Sequence, residues 1–273
     1  DIMNIEEVES KEEEDYMELV EKTEPVPVRS EWKELINEQL NWNYPFIEAS
    51  KFRSKQSVSE MKRQRETGNE DSGNELLSKF QKPILKRPKF LQAKSFSPAE
   101  KGTILHLVMQ HIDLEKAITT ESISTLLNDL INRELLTAEQ KEVVELKQIL
   151  SFFETDIGRR LLHADQFQRE VPFSFALPAN EVYPDWKGEN EPIFIQGVID
   201  CVFEDGDGFV LLDYKTDGIT ERFKGEFSEA EPVLRGRYQL QMELYSRALE
   251  QILKKPIQER YLYFFDGAHV IKI

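Results

Sequence analysis

The stretch FIQGVID at Phe194–Asp200, followed by FVLLDYKTD at Phe209–Asp217, decides the fold of this chain. Both runs are rich in β-branched and aromatic residues, and the loop EDGDG at Glu204–Gly208 separates them. Apolar runs joined by a short Asp-Gly loop are typical of a β-hairpin. We therefore predict that the two runs pair as neighbouring antiparallel strands.

Two carboxylates and an ammonium group meet at the end of this predicted hairpin. A turn centred on Gly206 and Asp207 places Asp200 opposite Asp213, with their Cβ atoms about 5 Å apart. Side chains alternate along a strand, so Asp213 and Lys215 share one face. Neighbouring carboxylates repel each other and lose hydration at a sheet end, and a divalent cation relieves both effects.

These residue types suit phosphoryl chemistry. Mg²⁺ accepts one or two carboxylates and completes its coordination shell with water and phosphate oxygens. Lys215 then acts as a compact positive charge beside the attacking water or the developing charge on phosphorus. The alternative is a structural salt bridge between Asp213 and Lys215, and the hairpin alone leaves that alternative open.

Composition narrows the class of protein. The chain of 273 residues has a net charge of −16 and one cysteine, Cys201, which excludes an internal disulfide and any four-cysteine metal site. No apolar run approaches the roughly 18 residues of a membrane span, and the acidic N-terminus lacks the basic region of a signal peptide. We expect a cytoplasmic protein without membrane association. Because Asp1 stands first instead of Met, we also expect an excised fragment of a longer protein.

Charge is distributed unevenly along the chain. Residues 1–24 contain eleven acidic and two basic residues, a net of −9, whereas residues 51–94 contain twelve basic and five acidic residues, a net of +7. The chain from Ser95 onward carries about −12. Diffuse attraction to nucleic-acid phosphates is weak there, so binding needs a local basic patch, a metal or a larger assembly.

One predicted helix carries a candidate metal ligand. Ser97-Pro98-Ala99-Glu100 combines a capping serine, a proline at the first position and a glutamate that reaches back, so a helix begins there and continues to about Asp113. Gly102 and His106 lie on one stripe of it. Glycine inside a helix costs about 1 kcal/mol and often marks a close approach, into which His106 would point. A packed structural histidine is the alternative.

Periodicity and capping signals predict the other elements. Upstream of Ser95 they indicate helical spacing at 30–50, a helix start at Ser57–Glu60, a flexible loop at 66–79 and an extended basic run at Lys82–Lys94. Downstream they indicate helices at 121–132, 138–155 and 158–163, an edge strand at 168–175, loops at 178–191 and 218–233, a helix at 234–249, and a hairpin of 260–265 with 269–273.

Three further polar residues are candidates for the site. Glu170 stands at the start of the edge strand, where it is either a solvated side chain or a third carboxylate near the metal. Gln241 and Tyr245 share a stripe one turn apart on the helix at 234–249. That stripe is either an ordinary packing face or a surface that faces phosphate.

Five separated motifs resemble RecB-type nuclease domains of the PD-(D/E)XK superfamily, and within it the AddA-type subunit of AddAB helicase–nucleases. The likeness covers residues 97–273 and includes the whole Asp-Tyr-Lys-Thr-Asp string. The motifs are Gly102-x-x-x-His106, Glu170, Gly197-x-x-Asp200, Asp213-Tyr214-Lys215-Thr216-Asp217 and Gln241-x-x-x-Tyr245.

The resemblance implies a fold and a set of roles. The fold is α/β, with a restriction-endonuclease-like core in which helices flank a mixed central sheet. The resemblance implies that His106, Asp200, Asp213 and the backbone carbonyl of Tyr214 bind Mg²⁺ and that Lys215 assists the attack. It also implies catalytic roles for Asp200, Asp213, Lys215 and Glu170, with Gln241 and Tyr245 orienting the site or contacting the DNA backbone.

The resemblance also implies an organisation and partners. Residues 1–65 would be an acidic linker and the end of an upstream helicase region, 66–96 a flexible basic connector, and 97–273 the nuclease domain. The expected activity is Mg²⁺-dependent cleavage of unwound single-stranded DNA during double-strand-break processing. The expected partners are DNA, the helicase part of the same chain and an AddB-like nuclease subunit in a heterodimer. AddB-type domains hold an iron–sulfur cluster through cysteines, so a single cysteine favours the AddA side.

Two alternatives remain open at this point. One is a module on a nuclease fold that binds DNA or a protein partner without catalysis, and an assay that compares Mg²⁺ with a chelator separates it from a nuclease. The other is a stand-alone recombination exonuclease, which the helicase-like residues 30–65 disfavour.

Overall fold

The computed structural model describes residues 19, 21–23, 30–47, 49–67, 96–189, 191–223 and 226–273. The chain divides into two compact units, Asp1–Lys51 and Phe52–Ile273. Within the first unit, the described residues include helix α1 at Ser30–Leu40 and a 3₁₀ turn at Ala49–Lys51.

Some of the upstream predictions fall beyond this description. The flexible loop (from residue 68 onward), the basic run Lys82–Lys94 and almost all of the acidic segment 1–24 lie outside the described residues.

The described part of the second unit contains both helices and strands. Its helices are α2 Val58–Thr67, α3 Pro98–His111, α4 Thr120–Asn132, α5 Ala138–Lys141, α6 Leu146–Glu154, α7 Asp156–Leu162, α8 Ala179–Val182, α9 Ile219–Arg222 and α10 Phe227–Leu253. Its strands are β1 Lys55–Ser57, β2 Phe167–Pro178, β3 Pro192–Asp205, β4 Gly208–Lys215, β5 Ile257–Phe264 and β6 His269–Lys272.

In the part of the chain that the structure describes, six strands form one mixed sheet in the order β1-β3-β4-β5-β6, with β2 paired to the other side of β3. Strand β1 runs parallel to β3 and β4 runs parallel to β5, whereas the remaining pairs are antiparallel. Since β2 pairs only with β3 among the described residues, it is an edge strand there, as the proline in it predicted. The predicted mixed sheet flanked by helices is confirmed.

A gap opens along one side of β3. Lys55–Ser57 pair with Phe194–Gln196, and the ladder to β4 begins at Cys201. Between these two ladders, and within the described chain, residues 197–199 pair only with β2. The gap ends beside Asp200, so the sheet itself leaves a recess at the candidate site.

Helices cover both faces of the sheet. One hydrophobic core lies between the sheet and helices α2 and α10, and the other lies between the sheet and helices α3, α4, α6 and α7. Along β3, Ile195 and Ile199 belong to the first core but Cys201 and Phe203 belong to the second. The regular alternation of faces is therefore interrupted at residue 200.

The predicted helix starts are confirmed by their caps. The side chain of Ser97 accepts a hydrogen bond from the backbone N–H of Glu100, and the Glu100 carboxylate accepts one from the N–H of Ser97. Ser57 and Glu60 form the same reciprocal pair at the start of α2. Each pair satisfies backbone donors that the first turn of a helix leaves without partners.

Three predictions of local structure are wrong, and the first is the loop at 178–191, which contains helix α8. The region 138–155 is not one helix, because α5 ends at Lys141 and α6 begins at Leu146, with the β-branched residue Val144 turned into the core between them. The loop predicted at 218–233 contains α9 and the first turns of α10. Helix α10 includes Pro232, and the full burial of Ala230 and Leu234 favours helix there despite the proline.

The sheet also involves residues upstream of 66. Strand β1 and helix α2 belong to the compact unit Phe52–Ile273, and α2 packs Val58 and Met61 into its first core. The predicted division at residue 65 therefore cuts through a helix that packs on the sheet. No helix among the described residues has both the length and the hydropathy that crossing a membrane requires.

Candidate metal and active site

The hairpin brings the two aspartates together. Its turn lies at Gly206 and Asp207, Cys201 pairs with Leu212, and continuing this register by one residue puts Asp200 opposite Asp213. Both side chains are buried, with 8% of Asp200 and 1% of Asp213 exposed. The predicted hairpin is confirmed, and its predicted register holds over the paired residues from Asp205–Gly208 to Cys201–Leu212.

Asp213 and Lys215 are part of a hydrogen-bonded network. The Lys215 ammonium forms an ion pair with Asp213 Oδ2 and donates to Gln241 Oε1 at 3.1 Å. Gln241 Nε2 donates to Asp213 Oδ1 at 3.0 Å and to the Tyr245 hydroxyl oxygen at 3.0 Å. The predicted stripe of Gln241 and Tyr245 on α10 therefore faces the acids and fixes the orientation of Asp213 and Lys215.

A second cluster contains His106, Glu170 and Asp200. His106 Nδ1 lies 3.4 Å from Asp200 Oδ1 and 3.8 Å from Glu170 Oε1. One ligand atom from each of the three residues lies within 4.8 Å of the others. The structure thus places the predicted histidine, edge-strand glutamate and hairpin aspartate around one point.

Glu170 has an unusual backbone conformation. It is the fourth residue of β2, and the neighbouring pairs Arg169–Cys201 and Val171–Ile199 place it level with Asp200. Its φ of +51° lies in the left-handed region, which is uncommon for a non-glycine residue and rare inside a strand. Such conformations cost on the order of 1–3 kcal/mol and concentrate at functional sites.

Gly102 allows α3 to approach the end of β4. A Cβ atom at Gly102 would lie 2.7 Å from Thr216 Oγ1, which is closer than real contacts allow. Since His106 lies one turn further along α3, this approach sets the distance of its ring from Asp200. The close approach predicted for Gly102 is confirmed, and its neighbour is the protein's own strand end.

Gly197 also allows a close approach, here of the rings of Phe173 and Tyr245 to strand β3. A Cβ atom there would lie 2.9 Å from Phe173 Cε1 and Cζ and 3.4 Å from Tyr245 Cε1. The rings of Phe173 and Tyr245 pack edge to face with centroids 5.4 Å apart. The absence of a side chain at 197 therefore allows Tyr245 to sit where it accepts the hydrogen bond from Gln241.

The two aspartates have pKa shifts of opposite sign. Burial is the largest influence on the pKa of Asp213; the Lys215 ammonium opposes it, the charge of Asp200 adds to it, and the pKa rises to about 6. Burial also favours a higher pKa for Asp200, but the charge and hydrogen bond of His106 outweigh it and hold the pKa below its usual value. Burial lowers the pKa of His106, but Asp200 and Glu170 outweigh it and raise the pKa to about 10.

The donor set fits a hard divalent cation. One imidazole nitrogen and two carboxylates converge, and the three acids of the recess outnumber its two cations, Lys215 and the protonated His106. Asp213 lies outside the three-residue cluster. Its Oδ2 is in ion-pair contact with Lys215 but accepts no well-aligned hydrogen bond within the described chain. Of the predicted ligands, the structure therefore groups His106 and Asp200 with Glu170, and Asp213 with Lys215.

The backbone and the ring of Tyr214 contact two different residues of the site. Its amide N–H donates to Asp200 Oδ2 at 2.7 Å. Its ring is buried in the second core and lies edge-on to the His106 ring, with centroids 6.1 Å apart. The residue thereby connects the aspartate of β3 with the histidine of α3.

Sequence reasoning missed Tyr238. The ring of Tyr238 faces the Lys215 ammonium, with Nζ 4.3 Å from the centroid, and its hydroxyl donates to Asp217 Oδ2 at 2.6 Å. Tyr238 lies three residues before Gln241 and seven before Tyr245, so helical spacing alone places it on the same stripe.

Comparisons with known proteins agree with this geometry. Residues 79–271 match the protein-family model described as the PD-(D/E)XK nuclease superfamily. Curated relatives include the A subunits of the ATP-dependent helicase/nuclease from Bacillus anthracis and from Bacillus cereus. Each is 45% identical over 263 residues, which are 96% of this chain and 21% of the relative. The chain therefore spans about a fifth of the length of these relatives.

Proposed function

Because the chain belongs to the PD-(D/E)XK nuclease superfamily, we propose that it is a metal-dependent deoxyribonuclease that hydrolyses DNA phosphodiester bonds. The observation that carries the proposal is the meeting of the His106, Glu170 and Asp200 cluster with the Asp213–Lys215 ion pair at the gap in the sheet. A buried recess that holds three acids suits a divalent cation and its phosphate ligand.

The proposed metal is Mg²⁺. His106, Asp200, Asp213 and the backbone carbonyl of Tyr214 are its proposed ligands, with Glu170 next to it. When bound, Mg²⁺ supplies Lewis-acid polarisation of the phosphate and lowers the pKa of a water molecule. The carboxylates suit Mg²⁺ because it is a hard cation that prefers oxygen ligands.

The residues of the chain supply orientation, charge and proton transfer. Lys215 holds its ammonium beside Asp213, where it offsets negative charge that develops on the phosphate oxygens. Gln241 fixes this ammonium and the carboxylate at the same time, and Tyr245 fixes Gln241. Glu170, whose Oε1 lies 3.8 Å from His106 Nδ1, is the proposed acceptor of a proton from the attacking water. Gln241 and Tyr245 are also proposed to contact the DNA backbone.

The proposed substrate is single-stranded DNA that a helicase has unwound. The relatives are called helicase/nuclease subunits, and this chain matches about a fifth of their length. We propose that it acts with a helicase part of the same protein and an AddB-like nuclease subunit in a heterodimer. The proposed role is the processing of double-strand breaks for recombinational repair in the cytoplasm, as an ATP-dependent exonuclease once joined to the helicase.

One experiment tests the nuclease proposal. The chain is incubated with end-labelled single-stranded DNA in Mg²⁺ or in a chelator, beside the Asp213→Asn variant. We expect cleavage in Mg²⁺ only, and a loss of at least about a hundred-fold in the variant. Cleavage that survives both the chelator and the substitution would end the proposal. DNA binding without cleavage by the unaltered chain would instead favour the non-catalytic binding module.

A further inference from the structure

The ring of Tyr238 has a second cation against it. Lys62 Nζ of α2 lies 3.7 Å from the centroid of the ring, and Lys215 Nζ lies 4.3 Å from the same centroid. The ring itself is 4% exposed, and its hydroxyl is bound to Asp217. One buried, anchored aromatic ring therefore holds two ammonium groups in the neighbourhood of the site.

The position of Lys62 is fixed by the fold. Strand β1 pairs with β3 up to Ser57–Gln196, directly before the gap in the sheet, and α2 begins at the next residue. Val58 and Met61 pack into the first core, and Lys62 follows on the adjacent stripe of the helix. The start of α2 therefore borders one end of the gap, while Asp213 and Lys215 lie beyond the other end.

Because the site is acidic, a cation at the position of Lys62 matters for DNA binding. Glu170, Asp200 and Asp213 are acidic, and the chain from Ser95 onward carries about −12. Long-range attraction to a DNA backbone is therefore weak, so local cations must hold the phosphates near the recess. Lys62 comes from the basic stretch 51–94 and brings its positive charge to the edge of the site.

We propose that Lys62 is a DNA-binding residue of this nuclease, and that its ammonium contacts a backbone phosphate of the single strand next to the one that is cleaved. Tyr238 positions this ammonium through the cation–π contact. The proposal rests on the proposed nuclease function and extends its site to helix α2.

The experiment measures DNA affinity separately from chemistry. Binding of a fluorescent oligothymidylate is followed by anisotropy in Mg²⁺ over a range of KCl concentrations, in the Asp213→Asn background to suppress cleavage. Lys62→Met keeps the length of the side chain and its packing on the ring, whereas Lys62→Arg keeps the charge. Lys141→Met is the matched control, because Lys141 donates to Asn128 in a helical layer that contributes no side chain to the Lys62–Tyr238 pair.

We expect Lys62→Met to weaken binding about ten-fold at moderate salt and to make the slope of log K against log[salt] shallower by about 0.7, the value for one phosphate contact to a single strand. Lys62→Arg should stay within about two-fold of the parent, as should the Lys141 control. An unchanged salt slope in Lys62→Met, with or without lower thermal stability, would overturn the proposal and leave Lys62 as a packing residue.

The two proposals fail in distinguishable ways. Absence of Mg²⁺-dependent cleavage by the unaltered chain contradicts the nuclease function, whatever the salt slopes show. Cleavage by the unaltered chain together with unchanged affinity in Lys62→Met contradicts only the role of Lys62. In the unblocked chain, we expect Lys62→Met to raise KM with little change in kcat, as the loss of a binding contact should.

Discussion

Asp200 Oδ2 accepts a hydrogen bond from the backbone N–H of Tyr214 at 2.7 Å, which joins β3 to β4 beyond their last ladder pair, Cys201–Leu212. A carboxylate thus takes the place that a backbone carbonyl would occupy in a continuing sheet. This exchange fixes Oδ2 and leaves Oδ1 facing His106 at 3.4 Å. The geometry of the site is therefore set by where the sheet stops.

Replacing Lys215 should separate chemistry from metal binding. Lys215→Met removes the ammonium that faces Asp213 and Gln241, so we expect cleavage to slow by about 10²–10³-fold. Metal affinity, measured by calorimetric titration, should stay the same or increase, because a competing positive charge is lost. Lys255→Met is the control, since Lys255 pairs with Glu204 near the hairpin turn. Lost metal affinity in Lys215→Met would contradict this role.

Gly102→Ala should disturb the site through helix α3. The added methyl group would meet Thr216 Oγ1 at 2.7 Å, so we expect a loss of about 1–3 kcal/mol in unfolding free energy and reduced cleavage as His106 moves. Adding Thr216→Ala removes that oxygen and leaves the Cβ atom at 3.6 Å, an ordinary contact. Denaturant unfolding and cleavage should both recover in the double variant relative to Gly102→Ala. No recovery would show that the crowding lies elsewhere.

Gly197→Ala should act on the opposite side of the recess. The added methyl group would lie 2.9 Å from the ring of Phe173 and would displace the ring of Tyr245. That displacement would weaken the hydrogen bond that Gln241 donates to the Tyr245 hydroxyl. We expect lower cleavage and a loss of about 1–3 kcal/mol in stability. Gly236→Ala is the control, because a Cβ atom at that helical position meets nothing within 4 Å. It should stabilise the helix by up to about 1 kcal/mol.

Local sequence patterns predict much of this structure. The Asp-Gly loop set the hairpin register, because that register follows from a turn of two residues, and the register brings Asp200 and Asp213 to the same end of the hairpin. The motifs also identified the family, which is confirmed. What local patterns did not predict depends on tertiary contacts: α10 continues through Pro232 because the core buries both of its flanks.

The contacts of Tyr238 and Lys62 were missed for a related reason. Tyr238 lies on the predicted stripe of α10, but only the fold shows that its ring meets a lysine from 176 residues earlier in the chain. Likewise, no periodicity reveals that β1 pairs with β3 and so carries α2 to the gap. The roles predicted for the site residues stay predictions.

Lowering the pH should remove the contribution that Glu259 makes to the free energy of unfolding. Hydrogen bonds from Lys272 and Arg160 lower the pKa of Glu259 to about 2. Because the folded-state pKa lies below the unfolded one, this contribution is complete above about pH 5 and disappears as the pH falls towards 2. We expect Glu259→Gln to be less stable than the unaltered chain by about 1 kcal/mol at pH 7. In urea titrations, the difference should vanish near pH 2; a difference that persists there would contradict this assignment.

Relieving the backbone strain at Glu170 should raise the free energy of unfolding and reduce cleavage. Glycine adopts a φ of +51° without steric penalty, so Glu170→Gly should raise the unfolding free energy by about 1 kcal/mol while cleavage falls. Glu170→Gln is the matched control: it removes the same charge and retains the strained conformation. If both variants lose activity but only the glycine variant gains stability in denaturant titrations, then the strain belongs to the backbone and the activity to the carboxylate. Equal stability of the two variants would mean that the left-handed conformation costs nothing here, and the distortion of β2 beside Asp200 would need another cause.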